Sequence, residues 1–184
     1  MIQNNNSKQK NQNKKILVMG LDNSGKSSII LQLIGKNSLP HVFSINPTKG
    51  LNITNLDKKG KSFNIWELGG EETYINEHLN NFKKYIIDTE EIFFVIDVLD
   101  FERYERSLTY LENILQGVIK TDSKPEITIF LHKFDPDVEK LHPNLTDEKV
   151  NNLVARIKNL IPSVLFYEIY KTNIHTTLDR SHIL

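Results

Sequence analysis

Cysteine is absent from the 184 residues, which excludes disulfides, a thiol nucleophile, Cys-ligated zinc and both prenyl and palmitoyl attachment. An intracellular chain is expected. An excess of either charge is lacking too: 23 Lys and Arg against 23 Asp and Glu leave no net field to draw nucleic acid or anionic lipid. No apolar run approaches the ~18 residues of a membrane span. Ile2 stands where N-myristoylation requires glycine. These absences predict no nucleic-acid partner and no lipid anchor of the chain's own, with any charged ligand held by local chemistry.

What is present fits one domain, since 39% of the residues are hydrophobic and a chain of this length can bury roughly 70% of its unfolded surface. Residues 1–13, "MIQNNNSKQKNQN", are too polar to offset ordering entropy and read as a disordered tail. Residues 14–184 read as the folded unit. Within it, strands are predicted at "KILVMG", "GLNITNL", "SFNIWEL", "EIFFVIDV", "EITIFLHK" and "VLFYEIY", and helices at "GKSSIILQLIG", "FERYERSLTYLENILQGVIK" and "TDEKVNNLVARIKNLI". The second and third strands, joined across "DKKGK", form a hairpin. The others need right-handed crossovers, so the expected fold class is α/β: a mostly parallel six-stranded sheet with one antiparallel edge hairpin, helices on both faces, and a ligand crevice at the carboxyl ends of the strands.

Four loops at that end carry chemistry. "GLDNSGKS", Gly20 to Ser27, matches G-x-x-x-x-G-K-[ST] between a strand and a helix. Glycine lets backbone N–H groups turn inward around a phosphate, and the helix start adds partial positive charge. Asp22, Asn23, Ser24, Gly25, Lys26, Ser27 and Ser28 are therefore candidate phosphate-binding residues, with Lys26 on the β and γ phosphates and the Ser27 hydroxyl on Mg²⁺. In "WELGGEE", Gly70 offers a backbone N–H to a terminal phosphate, Glu67 faces the metal through water, and Glu71 lies near an attacking water. Gly70 and Glu71 are the candidate catalytic pair. In "FLHKFD", Asp135 accepts from the two adjacent donors of a guanine edge, which adenine lacks, and Lys133 lays its stem along the base beside His132. "YKTNI" offers backbone N–H groups at Thr172, Asn173 and Ile174 to the base carbonyl. The ungrouped histidines His41, His78, His142, His175 and His182 have no metal-ligand spacing.

These loops resemble the small GTPases, and the Arf and Arf-like branch most, from about Lys14 to the C-terminus. "GLDNSGKSS" is similar to that branch's phosphate loop, "PTKG" at residues 47–50 to its first switch, and "WELGG" to its tryptophan-led "WDxGGQ" element, where Ras and Rab types carry "DTAG". The resemblance implies a P-loop domain of six strands and five helices that binds GTP or GDP with Mg²⁺ and works as a molecular switch. It implies Thr48 as second metal ligand, and a GTPase-activating protein, an exchange factor and effectors as partners. The expected location is cytoplasmic, with membrane contact only through partners.

The chain departs from the family pattern at four points. Glu67 replaces an aspartate and is one methylene longer. Glu71 replaces the glutamine that orients water; an ionised carboxylate accepts from water but cannot donate to phosphoryl oxygens. "HKFD" replaces "NKxD" and, with "TNI", resembles the Rag-type GTPases. Ile2 and the polar tail lack the Arf membrane leader. The first-switch segment "GKNSLPHVFSINPTKG" has no arginine, so no arginine finger is expected in cis and unassisted hydrolysis is expected to be slow. Two other readings stand beside the GTPase: a GTP-binding, Rag-like partner that scarcely hydrolyses, and a P-loop kinase, which would want an arginine-rich lid that this sequence lacks. The last twelve residues after Thr172, with Ile174 and Leu178 at helical spacing, leave room only for a short or clipped closing helix.

Overall fold

The computed structural model describes residues 13–35, 48–58 and 60–173. The polar tail to residue 12, most of the first-switch segment with Pro47, the closing-helix stretch with Ile174 and Leu178, and His41, His175 and His182 lie outside the described residues.

Three apolar runs build the centre. β1 (Asn13–Gly20), β4 (Thr89–Asp97) and β5 (Glu126–His132) are buried almost throughout their carboxyl-terminal halves, as strands covered on both faces must be. β2 (Leu51–Lys58) and β3 (Lys61–Leu68) form the antiparallel hairpin, with Leu51 opposite Leu68 and Lys58 opposite Lys61. β6 (Tyr167–Lys171) closes the far edge. The order is β2-β3-β1-β4-β5-β6, with every pair but β2–β3 parallel.

Side-chain alternation divides the interior into two cores. Ile16, Val18, Phe93, Val95 and Phe130 face helix α1 (Lys26–Leu33) through Ile29 and Ile30. Leu17, Met19, Phe94 and Ile96 face the other way, toward Leu111, Ile114 and Leu115 of α4 (Tyr104–Ile119) and Val150, Leu153 and Ile157 of α6 (Asp147–Leu160). Thr146 caps α6 by accepting from Lys149 N at 3.3 Å, with Asp147 and Glu148 in the first turn, which suits the positive end of the helix dipole.

Several expected boundaries move. Asn13, assigned to the tail, begins β1 opposite Ser62. The last strand starts at Tyr167 rather than Val164, because Pro162 to Leu165 turn, with Leu165 N donating to Pro162 O at 3.0 Å. The segment from Phe101 opens as a 3₁₀ turn, Phe101–Arg103, before α4. Three helices lie outside the three located by periodicity: α2 (Glu72–Asn80), α3 (Phe82–Ile86) and α5 (Val138–Leu141). The described residues thus hold six helices rather than five. α2 buries only Ile75 and His78, too sparse a stripe to announce a helix, while α3 and α5 are shorter than the windows on which periodicity can be read.

Candidate functional site

β1 ends at Gly20, whose φ of 143° and closeness to β4, where a Cβ would lie 2.4 Å from Val95 O, admit only glycine. The chain then reverses through Asn23 and Gly25, both with positive φ, and enters α1 at Lys26. Within the loop Asp22 N donates to Gly70 O at 3.0 Å and Ser24 N to Leu21 O at 3.4 Å. The Lys26 ammonium donates to Gly20 O at 3.1 Å and Leu21 O at 2.7 Å. Burial lowers its pKa to about 8, against the opposing pull of Glu67 and Asp22. A phosphate in direct contact would add to the counter-charge of those carboxylates and favour the ammonium form further. Ser28 follows on the first turn of α1.

Register places the remaining groups. Val18 pairs with Glu67, so β3 delivers Glu67 beside the end of β1. Glu67 is 3% exposed, and Ser27 Oγ donates to its Oε1. Among the described residues no group of three or more His, Cys, Asp and Glu is placed to hold a metal. A hydroxyl and one carboxylate, completed by phosphate oxygens, nonetheless suit Mg²⁺, which takes hard oxygens and few protein ligands.

The paired glycines clasp two segments. Gly69 N donates to Gly50 O at 2.7 Å, and a Cβ on Gly69 would sit 2.8 Å from Thr48 O. This puts Thr48 against the Gly69–Gly70 loop. Gly70 O accepts from Asp22 N at 3.0 Å, and a Cβ on Gly70 would lie 2.2 Å from that same nitrogen. Only glycine permits such an approach. Glu71 caps α2 with its backbone; its side chain is exposed and makes no capping bond.

β5 and β6 bring the base-reading candidates together. His132 is 1% exposed; its Nδ1 lies 2.9 Å from Thr172 Oγ1 and its ring packs on Gly25, where a Cβ would be 2.2 Å from Cδ2. Burial, then the neighbouring Lys133, lowers the imidazole pKa to about 4, so the ring is neutral. Phe134 N donates to Thr172 O at 2.9 Å, Asn173 Nδ2 to Phe134 O at 2.9 Å, and Gln32 Nε2 on α1 to Asn173 O at 2.7 Å. The two base loops and the phosphate-loop helix are therefore one bonded unit. Lys133, at φ 71°, anchors its ammonium to Asp97 at 2.6 Å, which holds its stem in place. Asp135 is half-buried, and its carbonyl accepts from Val138 N at 3.0 Å at the start of α5. Ile174 lies outside the described residues.

The sequence motifs gave no sign of Arg103. Its Nη1 donates to Asp22 Oδ1 at 2.8 Å from 81 positions away, and no local pattern marks it.

A Lys-bearing phosphate loop at the switch point of a 2-3-1-4-5-6 sheet, with a Gly-Gly loop clasped to it and a base loop alongside, defines the P-loop domain of a small GTPase. The chain belongs to the Arf family: the model "ADP-ribosylation factor family" matches residues 2–165. It is 30% identical over 141 residues to ADP-ribosylation factor F of Dictyostelium discoideum, covering 77% of this chain and 68% of that one. It is 37% identical over 102 residues to the ADP-ribosylation factor-like protein alp41 of Schizosaccharomyces pombe, covering 55% of this chain. The match spans 50% of the alp41 chain, about half its length. In fold it is similar to the Arl6 (BBS3) small GTPase of Trypanosoma brucei solved with the nucleotide analogue GppNp, at TM-score 0.67 and 21% identity over 88% of this chain and 87% of that one.

Proposed function

We propose that this chain is a guanine-nucleotide switch that binds GTP and GDP with Mg²⁺ and hydrolyses GTP slowly unless a partner assists. The observation that carries the reading is the convergence of a buried Lys26 ammonium, the Ser27–Glu67 oxygen pair and the Asp22–Gly70 clasp at one end of the sheet. In it, Lys26 meets the β and γ phosphates. Ser27 and Thr48, with Glu67 acting through water, would hold Mg²⁺, whose charge would offset that of the phosphate oxygens. Asp135 accepts from the guanine edge, His132 and Lys133 flank the base, and Thr172 and Asn173 support its loop. Gly70 and Glu71 stand where the terminal phosphate and the attacking water would be, with Glu71 accepting a hydrogen bond from that water. Because the first-switch segment carries no arginine to act in cis, unassisted turnover stays near the roughly 10⁻⁴ s⁻¹ scale of GTPases that lack an arginine finger; Glu71, when ionised, cannot donate to phosphoryl oxygens. Activating proteins, exchange factors and effectors are the partners this reading entails, in the cytoplasm or at membranes reached through them. The exposed, unbonded Glu71 side chain also favours a second reading, a GTP-binding partner protein that scarcely hydrolyses.

Titration with GTP, GDP and ATP in the presence of Mg²⁺ tests the first reading. GTP and GDP bind and ATP does not, while Asp135→Asn weakens guanine nucleotides by ten- to a hundredfold, a charge-assisted hydrogen bond being worth roughly 1.5 to 3 kcal/mol, and admits xanthine nucleotides. Equal ATP and GTP affinity refutes it. Single-turnover hydrolysis by wild type, Glu71→Gln and Glu71→Ala separates switch from scaffold: a loss confined to the alanine variant supports water positioning, and three equal rates favour the scaffold.

A further inference from the structure

The phosphate loop carries an anion of its own. Asp22 is the third residue of "GLDNSGKS", and a carboxylate at the rim of a phosphate site is a like charge beside the ligand. Left alone it would oppose binding, most strongly for the ligand with the most negative charge nearby.

A different element supplies the counter-charge. Arg103 ends the 3₁₀ turn after β4; its Nη1 donates to Asp22 Oδ1 at 2.8 Å and its Nη2 to Asp22 O at 3.3 Å. Asp100 grips the same guanidinium through Nε at 2.5 Å. The arginine is therefore oriented by its own turn, and it holds both the charge and the backbone of Asp22. The planar fork of arginine suits this double role as a lysine ammonium does not.

Two further observations tie the pair to the ligand site. The Asp22 N–H donates to Gly70 O, the residue placed above at the terminal phosphate. The carbonyl of Leu21, the residue before Asp22, accepts from the Lys26 ammonium at 2.7 Å. Behind the loop lies a cavity of about 10 Å³ lined by Ser24, Asp97, Asp100 and Ser107 among others. It has room for one water, and the buried Ser24 hydroxyl, which has no protein partner, lines it. The loop is thus braced from its outer side by the turn that carries Arg103.

We propose that Arg103 is a positioning residue that sets the preference for triphosphate over diphosphate, by pairing with Asp22 and holding its carboxylate off the terminal phosphate. The inference rests on the nucleotide reading of the site. Without the guanidinium, the Asp22 carboxylate is free to turn toward the ligand. It then repels GTP, which brings a charged phosphoryl group next to Gly70, more than GDP, which does not.

The test is equilibrium titration of the full chain with GDP and with a non-hydrolysable GTP analogue, both with Mg²⁺. Wild type is compared with Arg103→Met, Arg103→Lys, Asp22→Asn and the Arg103→Met, Asp22→Asn double variant. Arg103→Met lowers the ratio of triphosphate to diphosphate affinity roughly tenfold, the scale of a lost charge-assisted hydrogen bond. Arg103→Lys recovers part of that ratio, Asp22→Asn keeps it at or above wild type, and the double variant returns it to within about twofold of wild type. A structural brace alone would not be rescued by removing Asp22. An unchanged ratio in Arg103→Met, or a loss that persists in the double variant, overturns the proposal while guanine-nucleotide binding by wild type stands. Failure of wild type to bind either guanine nucleotide overturns the site reading and this inference with it.

Discussion

His132 links three loops: its backbone carbonyl accepts from Val98 N at 3.1 Å, its ring Nδ1 faces Thr172, and the ring edge rests on Gly25 of the phosphate loop. An imidazole shut in this way resists protonation, and its folded-state pKa of about 4 lies below the ~6.5 of an unfolded chain. Between those values the unfolded state binds the proton and the folded state does not. The stability this residue contributes is therefore full above pH 6.5 and is lost as pH falls toward 4, by up to about 3 kcal/mol. His78, buried against Tyr85 and with its pKa lowered by burial, acts in the same direction. Urea unfolding at pH 7.5, 6.0 and 5.0 should show His132→Asn losing less stability on acidification than wild type, the difference being the reading, since carboxylates titrate in both. Parallel losses would mean that the ring protonates in place.

At the scale of elements, the two short helices after the Gly69–Gly70 loop are held by packing and not by propensity. α3 has five residues, far too few to stand alone in water, and Phe82 at its start is 7% exposed. Its ring lies on α4 at Gly117, where a Cβ would come within 2.6 Å of Phe82 Cδ1 and 2.8 Å of Cε1. Glycine inside a helix costs about 1 kcal/mol relative to alanine, and here the close seat of a buried aromatic ring offsets it. Gly117→Ala is accordingly expected to destabilise the protein by roughly 1 to 2 kcal/mol in urea unfolding, the overpacking cost outweighing the gain in propensity. A stabilised variant would show that the ring has room to move. α2 is tied to the same helix by Arg106 and Glu72, 3.4 Å apart and both well exposed. Screening leaves that pair worth little, so Gly117 and Phe82 are the junction that matters.

For the molecule as a whole, the site belongs to no single segment. β1, β3, β5 and β6 each deliver one loop to the same end; Gln32, His132, Thr172 and Asn173 bond the loops after β5 and β6 to each other and to α1, and Asp22 N bonds the β1 loop to Gly70 O after β3. A ligand that fills the site therefore reports on the global fold. A nucleotide present at a hundred times its Kd should stabilise the chain by about 2.7 kcal/mol, or roughly 5 to 10 °C in Tm for a domain of this size. GTP and GDP with Mg²⁺ should give that shift in a thermal melt. ATP should not, and Lys26→Ala should abolish it. Equal shifts with ATP and GTP would contradict guanine selectivity at the level of the whole molecule.

Chemistry that is contiguous along the chain is legible in the order of its residues. "GLDNSGKS" states its loop because glycines, lysine and hydroxyl must sit at fixed spacing to surround a phosphate, and β1, β4 and β5 announce themselves as apolar runs because a strand covered on both faces has no polar side to show. The hairpin and the parallel order follow from turn residues and crossover handedness. The helices α2, α3 and α5 are not legible in this way, since short or sparsely apolar segments become helical only when a neighbouring surface makes up for an unfavourable nucleation. Asp22 and Arg103 stand 81 residues apart, and His132 and Gly25 share no motif. By itself the sequence determined the apolar central strands and the glycine-bounded loop proposed to cradle a phosphate, because those are properties of adjacent residues and their periodicity. Only the tertiary structure decided which distant charge neutralises Asp22 and which ring closes on Gly25, because electrostatic and packing energies depend on distances through space, which the order of residues along the chain does not carry.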